Sequence, residues 1–266
     1  MTNNLFTLAE NCLFNADIEQ KLTLTHHAQA QALAGTLDFQ TLSPPQPIQL
    51  TRFPEHPIWQ APRHLAKRSL HTNEGRAAFF HALCHIEFIA IYLAWDILYR
   101  FRGLPEGFYR DWLKVADEEA LHFDMLRTHL RNLGHDYGDF PVHGGLWAHA
   151  VDTEQDLLAR LAIVPRCLEA RGLDVTPGMI EHFKSQGDNV SCQLLQRILD
   201  DEIGHVAIGS TWFRYLCEQS QQDGEQVYQD RLARYFKGKP KGPFNRKLRI
   251  MAGFTEQELN WLEYDG

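Results

Sequence analysis

Two stretches of this 266-residue chain repeat one arrangement of ligating side chains: Glu87 is followed 32 residues later by Glu119 and then His122, and Glu169 is followed 33 residues later by Glu202 and then His205. Residues three apart lie on one face of a helix, so each Glu-x-x-His pair can present a carboxylate and an imidazole to one point. The preceding glutamate would come from a separate helix. Two such triads are the ligand pattern of a carboxylate-bridged two-metal site inside a four-helix bundle.

Composition alone weakens the pattern, because 17 Glu and 14 His in 266 residues produce roughly one Glu-x-x-His by chance. The surroundings carry more weight. At helical offsets of three, four and seven, Glu87 has Phe80, Leu83, Cys84, Ile91 and Ala94 as neighbours, and Glu119 has Trp112, Val115, Ala116, Phe123 and Leu126. Glu202 is flanked by Leu195, Ile198, Leu199, Val206 and Phe213, and Glu169 by Leu161, Ala162, Pro165 and Arg166. Acids on solvated helix faces do not keep such company. The alternative is a set of coincidental or salt-bridged core acids. Four glutamates against two divalent cations leave a nearly neutral cluster, whereas without metal the same acids would be costly to ionise.

The expected fold class is all-α: a ferritin-like four-helix bundle with a long crossover, N-terminal helices, a Pro-rich strap and a C-terminal helical tail. Residues 5–40 suggest one or two helices. Residues 43–62 carry Pro44, Pro45, Pro47, Pro54, Pro57 and Pro62 and predict an extended strap anchored by Phe53, Ile58 and Trp59. Bundle helices are predicted over residues 74–101 and 109–133, with Gly134 as a stop. Residues 134–153, with Gly138, Pro141, Gly144 and Gly145, form the crossover. The third helix is predicted to begin near Thr153, acting as a cap with Asp156, and to falter at Gly172, with a short helix over 177–186 extending that limb. The fourth covers 188–217. The corresponding division is 1–70 for the N-terminal helices and strap, 71–220 for the di-metal bundle and 221–266 for the tail.

No window offers the roughly 18 uncharged apolar residues of a membrane span, and residues 1–30 lack the features of a signal peptide. The expectation is therefore a cytoplasmic protein without a membrane partner. Cys12, Cys84, Cys167, Cys192 and Cys217 are odd in number and widely spaced, which argues against a disulfide framework. The lack of Cys-x-x-Cys excludes a rubredoxin-type iron centre or zinc ribbon. Met1, Met125, Met179 and Met251 offer few axial ligands for a haem, and no nucleotide cofactor is expected. A net charge of −8 (26 basic against 34 acidic residues) disfavours a broad nucleic-acid surface. The segment 237–249 nevertheless gathers Lys237, Lys239, Lys241, Arg246, Lys247 and Arg249, as a solvated tail or a binding patch.

The stretches His85-Ile86-Glu87, Glu118-Glu119-Ala120-Leu121-His122-Phe123, Leu168-Glu169-Ala170-Arg171-Gly172-Leu173-Asp174 and Asp201-Glu202-Ile203-Gly204-His205-Val206 resemble the ferritin-like family catalogued as domain of unknown function 455. The resemblance extends to the proline-rich strap, Tyr137-Gly138-Asp139 and Ala252-Gly253-Phe254. It implies a di-iron or iron/manganese centre of the superfamily that also holds di-iron oxygenases, a tRNA hydroxylase, rubrerythrins and ferritins. In similar oxygenases an acid just before the Glu-x-x-His glutamate hydrogen-bonds a histidine ligand; the matching positions are Glu118 and Asp201. Solvent-facing acids are the alternative there.

Hard carboxylates with two imidazoles suit iron or manganese. The leading expectation is an oxygen-activating di-iron oxidoreductase, a hydroxylase or oxidase, that uses O2, a reductant and a small-molecule or tRNA substrate. The alternatives are iron handling as a ferroxidase or peroxide scavenger, and a metal-free bundle. A chain much longer than a minimal bundle is expected as a monomer or dimer, not a cage. Arg166, one turn before Glu169, is a candidate partner of a ligand carboxylate or of an anionic substrate. Gly209, one turn after His205, is a candidate opening for a substrate channel. His81 and His85 lie off the Glu87 face and read as hydrogen-bonded histidines, and Tyr92 and Trp95 as core aromatics.

Overall fold

Short polar side chains start the helices in the computed structural model, which describes residues 2–41, 43–66, 68–236 and 239–264. Asn4 accepts the Phe6 and Thr7 N–H groups at the start of α1 (Leu5–Leu13), and Asp17 accepts Gln20 N–H at the start of α2 (Ile18–Leu33). Thr72 caps α3 (Asn73–Arg100) through Gly75 N–H. Pro105, which lacks a donor, precedes α4 (Glu106–Asn132), a turn earlier than predicted. These caps satisfy backbone donors that have no partner within the helix. The fold is all-α, and among the described residues the only β-type pairings are two isolated bridges.

The chain forms two compact units, Met1–Ala148 and His149–Gly266. In the first, α3 and α4 form a hairpin, with α1 packed on α3 and α2 on α4. From Phe88 to Arg100 every residue of α3 is buried, including Tyr92, Trp95 and Asp96. Each buried polar atom finds a partner: Trp95 Nε1 donates to Thr25 Oγ1 at 2.9 Å, and Tyr92 OH donates to the Arg52 carbonyl at 2.7 Å. Asp96 takes Arg100 Nη2 at 2.6 Å. By length and composition this helix could cross a membrane, but Glu87 and Asp96 interrupt its apolar run and 72% of its most apolar window is buried inside the protein, as in a core helix.

The strap lies along α3. Phe53 is its anchor, with its ring 4.5 Å from Tyr92 and 5.3 Å from Trp147, centroid to centroid. Ile58 and Trp59, predicted as further anchors, remain 49% and 37% exposed. Trp59 still anchors the strap through its ring, 4.9 Å from Phe53 and 6.0 Å from His85, centroid to centroid. Backbone pairing adds to this: Val142 N–H donates to the Ile58 carbonyl and Gln60 N–H to the Val142 carbonyl. The chain passes between the units within α5 (Gly145–Asp152), so part of the predicted crossover is helical.

In the second unit the outbound limb departs from expectation. Asp156, not Thr153, caps α6 (Leu157–Ile163), by accepting Ala159 N–H. Thr153 is buried and receives Arg160 Nε at 2.8 Å. The limb then widens into a π-helical turn at Val164–Glu169 and continues as α7 (Ala170–Ser185) without a break at Gly172. A helical glycine costs about 1 kcal/mol relative to alanine, and packing of α7 on α8 (Asn189–Gln219) outweighs it. Beyond α8 come α9 (Gly224–Arg231), a second π-helical turn (Leu232–Phe236), α10 (Arg246–Met251) and α11 (Glu256–Tyr264).

A histidine pair fastens the loop after α4. Gly138 N–H donates to His81 Nε2 at 2.9 Å, and His85 Nδ1 lies 2.8 Å from Tyr137 OH. Burial lowers both imidazoles from 6.5 to about 4. Between those values the unfolded chain binds more protons, so this stability is complete above pH 6.5 and is lost as the pH falls toward 4. Each group contributes up to about 3 kcal/mol. Urea unfolding between pH 7.5 and 4 should show the loss in the native protein, and His81→Gln should have a shallower slope; an equal slope would remove His81 from this account.

Candidate metal centre

The α3–α4 hairpin brings the first triad together. Glu87 projects from α3, and Glu119 and His122 from one face of α4; all three are buried. His122 Nδ1 lies 3.4 Å from Glu87 Oε2 and 3.6 Å from Glu119 Oε2. One ligand atom from each lies within 4.8 Å of the others, so this buried cluster could hold a metal ion. Its electrostatics fit a cation. Burial, and then the Glu119 charge, push the Glu87 carboxyl well above the usual carboxylate range. A divalent ion would reverse that penalty by giving the ionised oxygens a partner.

The second triad lies on the second unit. Glu202 and His205 are buried on α8, with His205 Nδ1 3.6 Å from Glu202 Oε1. Glu169 is half-buried at the end of the π-helical turn. The continuous run from Leu157 to Ser185 places Glu169 within a long helical limb rather than three residues before a break at Gly172. The turn has a local cause: Pro165 supplies no N–H to the helical ladder, and Ala170 N–H reaches back to the Pro165 carbonyl, five residues away.

The neighbours of the ligands are only partly as expected. Glu118 takes Lys114 Nζ at 2.6 Å and Asp201 takes Arg197 Nε at 2.6 Å, each a pair along its own helix. Arg166 meets neither a ligand carboxylate nor an open face, because its Nη2 donates to Glu258 of α11 at 2.6 Å. Gly209 opens no channel at its own position, since a Cβ there would lie 2.5 Å from Pro165 Cβ and Cγ. Helix contact against the π-helical turn accounts for that glycine. Sequence reasoning singled out Tyr137 only through the family resemblance and gave it no role; its ring lies 5.1 Å from Phe123 and its hydroxyl meets His85. Sequence reasoning missed Glu258, although Thr255-x-x-Glu258 is a readable capping box.

Among the described residues of the basic segment, Lys239, Arg246 and Arg249 have partners within the protein. Arg249 is buried against Asp174 at 2.8 Å, and Arg246 pairs with Glu256 and with Glu263. Lys239 donates to the Trp261 carbonyl at 2.6 Å. Lys237 lies outside the described residues.

The chain belongs to the family described as "Protein of unknown function (DUF455)", whose profile matches residues 14–260. A protein of Haemophilus influenzae, named as uncharacterized, is 44% identical over 232 residues, which cover 85% of this chain and 80% of that relative. No solved structure matches the chain.

Substitutions separate ligands from packing. Glu119→Ala and His205→Ala should abolish or sharply lower metal content by elemental analysis while the protein still folds. Phe123→Ala, in the fully buried core, should keep its ligands and cost roughly 3 to 5 kcal/mol in denaturant unfolding. Full metal occupancy in His205→Ala would remove that residue from the ligand set.

Proposed function

We propose that Glu87, Glu119, His122, Glu169, Glu202 and His205 together hold two iron ions, or one iron and one manganese, and that the protein is an O2-activating oxidoreductase of the ferritin-like di-iron class. The observation that carries this reading is the first triad, a buried cluster of two carboxylates and one imidazole able to hold a metal ion. The second unit repeats its residue types in the same sequence order, on α7's limb and α8.

The donor set fits the group. Oxygen and imidazole ligands without a thiolate suit iron or manganese in preference to copper(I). When bound, such a pair of metals supplies two electrons to dioxygen in one place. The chain's own residues do the rest. Glu87 and Glu169 each complete a triad from a second helix. The apolar neighbours Phe80, Cys84, Phe123 and Leu126 around the first triad exclude water. By the family resemblance, Glu118 and Asp201, each also paired along its own helix with Lys114 or Arg197, would orient an imidazole ligand.

O2 and a reductant are the partners this chemistry requires, with a small organic molecule as the substrate. The tRNA alternative loses support because Lys239, Arg246 and Arg249 have partners within the protein. A ferroxidase or peroxide-scavenging role would use the same ligands without an organic substrate. A monomer or dimer in sedimentation would separate either role from a storage cage.

The decisive experiment is elemental analysis of protein purified without chelator, followed by optical spectra after reduction and exposure to oxygen. About two iron or manganese atoms per chain and a transient oxygen-dependent absorption are the expected outcome. Protein that holds no metal and takes none up would end the oxidoreductase reading.

A further inference from the structure

Arg166 is one of the largest fully buried side chains in the second unit, and its surroundings are built for it. Its guanidinium carbon lies 4.6 Å from the ring centroid of Phe213, 4.4 Å from that of Tyr228 and 4.9 Å from that of Phe254. Nη2 donates to Glu258 Oε1 at 2.6 Å and Nε to Ser210 Oγ at 3.3 Å. Glu258 is itself held, because its Oε2 accepts Thr255 N–H at 2.9 Å in the capping box of α11. The backbone is held as well: Tyr228 OH donates to the Arg166 carbonyl at 3.2 Å. That carbonyl lies within the π-helical turn, where the backbone ladder is offset and an outside donor can settle the geometry.

A second pair grips the chain just beyond the turn. Arg249 of α10 donates Nε and Nη2 to the two oxygens of Asp174 at 2.9 and 2.8 Å, and Nη2 also reaches the Ala170 carbonyl at 3.4 Å. Both partners have fully buried side chains. The Phe254 ring lies 4.9 Å from each of the two guanidinium carbons, so the two pairs share an aromatic wall. Contacts from α9, α10 and α11 thus fall on Arg166, Ala170 and Asp174. Glu169 lies between them in sequence, at the one point on this limb where the helix is not α-helical.

Ion pairs as buried as these are poor stabilisers compared with apolar packing, and their attested use is to specify one arrangement. Here the arrangement to be specified is a widened turn, which could otherwise revert to α-helical winding and rotate Glu169 about the helix axis. We propose that the C-terminal segment is a positioning part of the metal centre: Tyr228, Glu258 and Arg249 fix the π-helical turn so that the Glu169 carboxylate faces its metal. This rests on the metal-centre reading above.

The test uses full-length protein and Mn(II), with free ion followed by electron paramagnetic resonance, at a temperature where each metal-free variant is folded. Tyr228→Phe removes one hydroxyl. Glu258→Gln keeps a side chain that serves equally well in a capping box and removes the charge opposite Arg166. Both should fold without metal and bind Mn(II) about ten-fold or more weakly. Phe183→Leu, in the fully buried core at the far end of α7, should lower thermal stability and bind as the native protein does.

Native affinity in Tyr228→Phe and Glu258→Gln, alongside impaired Glu169→Gln, would overturn the positioning role and leave the metal centre standing. Weakening in Phe183→Leu in proportion to its stability would also overturn it, because the effect would then be general destabilisation. Unimpaired Glu169→Gln, or a native protein that takes up no Mn(II), would bring down the metal-centre reading and the positioning role together. Should Glu258→Gln fail to fold, Tyr228→Phe decides alone.

Discussion

Ionised carboxylates cannot remain in an apolar helical interior unless something neutralises them, and this constraint explains more of the protein than any other. Glu87 and Glu119 sit in the packed hairpin of α3 and α4 with a single imidazole between them. Water would be the cheapest neutraliser, and burial denies it. Protonation is a second route, visible in the raised Glu87 carboxyl, and it would leave the site with little to do. A bound cation is the third, and it alone makes use of the repeated spacing along the sequence.

Other buried charges solve the same problem differently. Asp96 is matched by Arg100 one turn away, Asp174 by Arg249 and Glu258 by Arg166. Each of those acids meets a guanidinium, whose planar donors fit two carboxylate oxygens. In the first triad Glu87 and Glu119 face an imidazole in a buried cluster that could hold a metal ion. Which acid a guanidinium serves depends on tertiary contacts. Arg166, for example, is one turn before Glu169 in sequence and yet spends its charge on the tail.

The outbound limb of the second unit shows how one residue redirects a helix. Pro165 withdraws a donor, the ladder widens and Gly209 on α8 gives the space that the proline ring occupies. Neither residue carries a functional group. Together they determine how Glu169 is presented, while the aromatic and ionic contacts of the tail hold the result. Arg249, from the basic run that offered a possible nucleic-acid patch, is spent on this packing, because a guanidinium supplies both charge and a flat face for aromatic rings.

Much of the fold was legible because its signals are local. Helical periodicity, the stop at Gly134 and the proline run of the strap marked α3, α4 and α8 to within a few residues. The six ligand candidates were legible because an i, i+3 spacing on an apolar stripe is itself a local signal. The continuous limb through Gly172 was not, since tertiary packing overrode a weak propensity. Nor were the partners of Arg166, Arg249 and Gly209, which lie 92, 75 and 44 residues away in the chain. The sequence by itself determined which side chains can ligate and which faces they occupy, because both follow from helix geometry. Only the tertiary structure decided which charges neutralise one another and which glycine is packing, because those depend on contacts between residues the chain order keeps apart.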